Sequence, residues 1–195
     1  YYETLIDQDV VELGQVNIQK RLATSYASSG AFEEALQIYE GLTPEFLTED
    51  DQFQMGFLYL QIKDYQKAIE ILTKLQTTDP QYTSLYTYLA AAQEAQNQLE
   101  DALTTVQTGI GYDAYNEVLY QKGSDLALQL GNNEVAEQML NEALKIDPDN
   151  MGEISALSQV YRRQGRHAEN IAFLQDAIEN HKPTPDLYWS FAQTQ

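Results

Sequence analysis

Apolar residues return along this chain at the spacing of a helix. Ala35, Ile38, Tyr39 and Leu42 fall at i, i+3, i+4 and i+7, and so do Ala136, Met139, Leu140 and Ala143. That spacing lays an apolar stripe down one side of a helix, and no segment predicts a strand. The stripes themselves recur. Ala35, Ala68, Ala102 and Ala136 stand 33, 34 and 34 residues apart, and Asn170 follows 34 residues later. With 34 positions per unit, units begin at Val16, Glu49, Thr83, Glu117, Met151 and Pro185. Each full unit holds two helical stretches, which predicts a stack of helix pairs.

Side-chain size follows the same register. Position 8 is Ala23, Gly56, Ala90, Ser124, Ser158 and Ala192, and position 20 is Ala35, Ala68, Ala102, Ala136 and Asn170. Small residues there let the two antiparallel helices of a unit approach; bulk would hold the backbones apart. Position 24 is always large and apolar (Tyr39, Leu72, Val106, Leu140, Leu174). Position 7 is Leu22, Met55, Leu89, Leu157 and Phe191, with Gly123 as the departure. Tyr26, Tyr59 and Tyr161 share position 11, and rings filling space between helices account for much of a tyrosine count of 14.

The helix ends are marked too. Position 15, where the first helix must turn, reads Gly30, Lys63, Asn97, Gly131 and Gly165. Gly and Asn tolerate the left-handed conformation that ends a helix, whereas Lys63 accepts it at some cost or uses another turn. Second helices should stop at Asp79-Pro80 and Asp147-Pro148, because proline cannot continue a helix and biases the residue before it out of helical geometry. Pro44 and Pro183 sit displaced in two irregular linkers.

This alternation of small and large positions resembles the tetratricopeptide repeat (TPR) family over nearly the whole chain. The resemblance implies an all-α fold, a right-handed α-solenoid of antiparallel helix pairs wound into a superhelix. Repeats are expected over 16–48, 49–82, 83–116, 117–150 and 151–184. Residues 1–15 read as the end of a preceding repeat plus a linker, and 185–195 as the first helix of a sixth, all in one solenoid domain. Both ends fall within a unit and no initiator Met is present, so a fragment of a longer array is expected. The acidic, Gln-rich units resemble repeat proteins of Gram-positive bacteria.

Charge narrows the range of partners. The 195 residues carry 30 Asp+Glu against 11 Lys+Arg, a net charge of −19. Nucleic acid is not an expected partner, because affinity for a polyanion rests on cations that neutralise phosphates. An anionic membrane surface needs basic clusters as well. With no cysteine, the chain lacks a disulfide framework, a thiolate nucleophile and any sulfur-ligated metal. That absence and the lack of a signal peptide lead to an expected cytoplasmic location.

Candidate chemistry dissolves on inspection. His167, at position 17, reads as a partly buried packing ring, and His181 as a solvated linker residue; neither belongs to a zinc-protease pattern. Asp147-Pro148-Asp149-Asn150 has the outline of a calcium loop, but Met151 and Ser158 occupy ligand places. Gly109-Ile110-Gly111 follows a helical stretch, where a dinucleotide loop would follow a strand. The acidic pairs Glu33-Glu34, Asp50-Asp51 and Glu100-Asp101 fall near helix starts, where the helix dipole favours them. No catalytic, cofactor-binding or metal-binding residue is expected, and the chain is not expected to be an enzyme.

What remains is a surface. The resemblance implies that first helices line the concave side and present ligand-facing residues at positions 2, 5, 6, 9, 12 and 13. The residues expected to meet a partner are Lys20, Arg21, Thr24, Phe53, Phe57, Tyr88, Lys122, Asp125, Gln159, Arg162 and Arg163. Positions 1–14 hold five cations and eight acids, so most of the net −19 lies elsewhere, chiefly on second helices and linkers. Phe53, Phe57 and Tyr88 would act as apolar anchors, while Lys20, Lys122, Arg162 and Arg163 would meet acids or carbonyls. Chaperone-binding relatives hold a peptide carboxylate with a Lys/Asn clamp. The corresponding residues are Lys20, Thr24, Gln54, Ser84 and Tyr88, and only Lys20 fits. The expected role is a protein–protein interaction scaffold gripping a polypeptide in its groove. Alternatives are a peptide-signal sensor or regulatory domain of a larger protein, and end-to-end self-association through apolar residues such as Leu187, Tyr188 and Phe191.

Overall fold

The computed structural model describes residues 2–180 and 185–192, and every regular element among them is helical. His181 and Pro183 lie outside the described residues. The chain divides into two compact units, 1–96 and 97–195. The boundary falls in the turn at Gln96 and Asn97, inside the expected third repeat.

The first unit contains α1 (Tyr2–Ser28), α2 (Phe32–Glu40), a short 3-10 turn (Pro44–Phe46), α3 (Glu49–Gln61), α4 (Tyr65–Thr78) and α5 (Ser84–Ala95). The second contains α6 (Leu99–Tyr112), α7 (Glu117–Gln129), α8 (Asn133–Ile146), α9 (Met151–Arg163), α10 (His167–Asn180) and α11 (Pro185–Ala192). The break expected before Val16 does not form, because α1 runs unbroken through it. Gly14 is the only breaker there; it weakens a helix but keeps its N–H, so unlike proline it does not end one.

The turns obey the register. Gly30, Lys63, Asn97, Gly131 and Gly165 all have positive φ, and no other described residue does. Lys63 therefore accepts the left-handed conformation at φ 65°. Thr78 and Ile146 end α4 and α8, and Asp79 and Asp147 cap them before proline, as expected.

Close approach governs the core. Ala23, Ala35, Ala68, Ala90, Ala102 and Ala136 are completely buried. A Cβ on Gly56 would stand 2.5 Å from Cδ2 of the buried Leu72, so that residue has no room to grow. Gly123 departs from the apolar pattern for a visible reason: Val106 and Met139 already fill the space, 3.1 and 3.2 Å from where its Cβ would be. Tyr39, Tyr59, Tyr86 and Tyr120 are buried between helices, but Tyr115 and Tyr188 are exposed. His167 is exposed at the start of α10 rather than partly buried.

Asn170 is the anomaly at position 20. It is fully buried, and both its amide oxygen and nitrogen lack a hydrogen-bond partner. An orphaned buried polar group costs about 1–3 kcal/mol, and Ala is also the better helix former. Asn170→Ala should therefore stabilise the second unit by about 1–2 kcal/mol, after allowing for the small void it leaves. A higher urea midpoint in circular dichroism is the expected result.

Candidate interaction faces on the first helices

In the first unit, the expected ligand contacts at α1 are partly engaged within the fold. Lys20 Nζ donates to the Asp51 carboxylate and to the carbonyl of Phe46, each at 2.5 Å. Asp51 also closes a reciprocal capping box at the start of α3: it accepts from the backbone N–H and the hydroxyl of Thr48, both at 2.8 Å, and its own N–H donates to Thr48 Oγ1. Burial alone would push the Asp51 carboxyl up. The bonds from Lys20 and Thr48, with the lysine charge, bring it below its ordinary value. Arg21 and Thr24 are exposed, and the Thr24 hydroxyl donates to the carbonyl of Lys20.

The expected aromatic anchors come together. Phe53 lies 4.9 Å from the ring of Tyr82 and 5.3 Å from that of Tyr88, while Phe57 lies 5.5 Å from Tyr88 and 6.4 Å from Phe32. Edge-on and tilted pairs of this kind contribute about 0.5–1.5 kcal/mol each beyond area burial. Phe53 is buried by its neighbours, whereas Phe57 and Tyr88 keep part of their surface exposed.

In the second unit, Asp125, Gln159, Arg162 and Arg163 are exposed and Lys122 is half-buried. Sequence reasoning passed over Arg166, just beyond α9. Its guanidinium donates to Glu137 at 2.6 Å and twice to Glu169, at 2.8 and 2.6 Å, and lies 4.6 Å over the Tyr161 ring. It ties α8, α9 and α10 together. Also unforeseen is Glu153 on α9, only 3% exposed, with no hydrogen-bond partner on either carboxylate oxygen. Its position in the register matches that of Asp51, and that correspondence was available from the sequence.

Charge on the second helices is uneven. Lys67 and Lys74 on α4, with Lys63 before it, are accompanied by only Glu70 and Asp64 on the same stretch, a departure from a uniformly acidic second-helix surface. Two open grooves, of 510 and 470 Å³, are floored by Met55, Tyr59 and Ile71 in the first unit and by Leu144, Ile154 and Phe173 in the second. None of the eleven expected contact residues lines either one. The exposed cations and amides of the first helices lie outside both of these grooves. No helix among the described residues is long and apolar enough to cross a membrane.

Helix pairs that close on small residues and turn through left-handed residues at a fixed interval define an α-solenoid. Two tetratricopeptide repeat profiles match the chain in tandem, over residues 59–121 and 122–185, and the chain belongs to the tetratricopeptide repeat family. It is 34% identical over 192 residues to the TPR repeat-containing protein YpiA of Bacillus subtilis (strain 168), a match that takes in 98% of this chain and 45% of that protein. It is 29% identical over 147 residues to heat shock protein STI1 of Saccharomyces cerevisiae, across 71% of this chain and 25% of that one. The chain therefore spans less than half the length of these relatives. Among solved structures, MamA matches with a TM-score of 0.76 at 19% identity, covering 84% of this chain and 90% of its own. A thermophilic TPR protein of Thermus thermophilus, TTC0263, matches with a TM-score of 0.57 at 22% identity, covering 92% and 98%. These likenesses show the fold. Proteins of this family are generally non-catalytic, and the fold suggests a protein–protein interaction scaffold.

The Lys20–Asp51 pair gives a test of the first unit. Removing the cation strands a buried carboxylate, so Lys20→Met should cost about 2–3 kcal/mol at pH 7, less than a fully buried pair because both side chains keep some exposure. The folded-state carboxyl of Asp51 is depressed, so the stability it contributes is present above the ordinary carboxylate range and lost as pH falls through the folded value. The penalty in the variant should shrink as urea titrations move from pH 7 to pH 3.

Proposed function

We propose that this chain is a non-catalytic scaffold that holds a polypeptide segment against its first helices. One observation carries the reading: three of the four arginines in a chain of net charge −19 (Arg21, Arg162 and Arg163) stand exposed on first helices. Such cations suit acidic side chains and backbone carbonyls at short range, and Arg is enriched among residues that dominate interface energetics. Thr24 and Gln159 supply hydrogen bonds beside them. Phe57 and Tyr88 offer their uncovered ring edges; Lys122 and Asp125 extend the polar face of α7. Phe53 supports the rings from beneath, and Lys20 acts through α1 rather than by direct contact. The absence of cysteine fits a reducing compartment such as the cytoplasm.

Self-association has separate support. Ile18 and Leu22 on α1 are 69% and 47% exposed, and Tyr188 and Trp189 on α11 are 52% and 67% exposed. Phe191 is half-buried on α9 and α10, and the side chain of Leu187 lies outside the described residues. Sedimentation equilibrium separates the readings, because a monomer across the micromolar range removes this second one.

A phage-displayed peptide library, with selected peptides titrated by calorimetry, tests the main reading. Enrichment of peptides with acidic residues is expected. Arg21→Glu combined with Arg163→Glu should weaken the selected peptides about tenfold or more, equivalent to at least about 1.4 kcal/mol. Unchanged affinity would reject the assignment of this face.

A further inference from the structure

The two units solve the same local problem in different ways, and in the second the solution lacks a component. Asp51 and Glu153 each occupy position 3 of a unit, at the third residue of α3 and of α9. In the first unit the residue at position 5 of the preceding repeat is Lys20, and it neutralises Asp51. In the second unit that place belongs to Gln121, which carries no charge. The amide of Gln121 lies beside Glu153 and eases its burial, while one of its N–H groups donates to Glu117 Oε1, 3.3 Å away. No other described residue completes the site. Asn150 caps α9 through the N–H groups of Gly152 and Glu153 and gives its own amide to Glu117 at 2.7 Å. Glu153 does not reciprocate as Asp51 does for Thr48; both its oxygens are buried and unpartnered. Burial, with Glu117 and Asp147 nearby, pushes its carboxyl up.

A carboxylate held almost entirely out of water without a counter-charge is costly. Here it stands on a first helix, with a second acid adjoining and a half-exposed amide in the place where a lysine neutralises its counterpart. We propose that Glu153, backed by Glu117, is a receptor for a primary ammonium group that displaces the Gln121 amide and serves Glu153 as Lys20 serves Asp51. A lysine side chain of a bound polypeptide and a free polyamine share this chemistry. The inference rests on the first helices being the ligand-bearing face, and it names the partner chemistry that the second unit selects.

Simple amines test it without any partner in hand, so failure of the polypeptide reading and failure of this site are separable. The whole chain, labelled with nitrogen-15, is titrated with acetyl-Gly-Lys-Gly-amide, with its norleucine analogue and with putrescine. The lysine peptide should shift the resonances of Gln121 and Glu153, and the norleucine analogue should bind at least tenfold more weakly. Tighter binding of the peptide assigns the ammonium to a polypeptide lysine, and tighter binding of putrescine to a free polyamine; either supports the site. Glu153→Gln should abolish the shifts and melt at a higher temperature, since it removes an unpaired buried charge. Gln121→Lys should also abolish them and raise the melting temperature, because the chain then supplies its own ammonium. The proposal is overturned if neither amine shifts these resonances, or if binding survives unchanged in Glu153→Gln.

Discussion

Two helices can lie close only where both give up side-chain bulk at their crossing, and that requirement organises the helix pairs within each unit, with Asn170 on α10 as the exception. Ala23 with Ala35 and Gly56 with Ala68 remove the bulk in the first unit, and Ser124 with Ala136 in the second. Around each crossing, large apolar residues such as Leu72 and Leu140 close the remaining space. Interiors are packed to crystal-like density, so an added methyl at Gly56 has no place to go. The left-handed turns follow from the same demand, because a helix can fold back on its neighbour within three residues only if one of them leaves right-handed space.

With the cores settled by size, charge is left to distinguish one repeat from another. Asp51 is satisfied four times over: by Lys20, by the backbone and hydroxyl of Thr48, and by its place in the first turn of α3. Arg166 does comparable work in the second unit, where it holds α8 and α10 through Glu137 and Glu169. Burial costs Asp51 much of its hydration, and only several bonds together offset it. Glu153 shows what remains when those bonds are missing.

Most of the fold is legible in the sequence because it depends on local steric rules that repeat. The turn residues and the small positions needed only their spacing to be found. Two residues depended on partners that spacing does not reveal. Phe53 sits at a position expected to face a ligand, but Tyr82, between α4 and α5, covers it. Lys20 reads as a free cation until Asp51, 31 residues away, is brought to it. The continuity of α1 turned on the weak breaking power of a single Gly14, and the division at Asn97 left no mark in composition. The candidate face was thus readable as a surface, residue by residue, but not as to which side chains the fold had already claimed.

Stacked helix pairs depend mainly on their immediate neighbours, so such arrays come apart like a zipper rather than all at once. A zipper opens first at its weakest tooth. The unsatisfied amide of Asn170 sits where α9 meets α10, which makes that junction the natural starting point for unzipping. Amide protons of α10 should then exchange with solvent through openings too small to disturb α7 and α8, so that one buried side chain decides in what order the second unit melts.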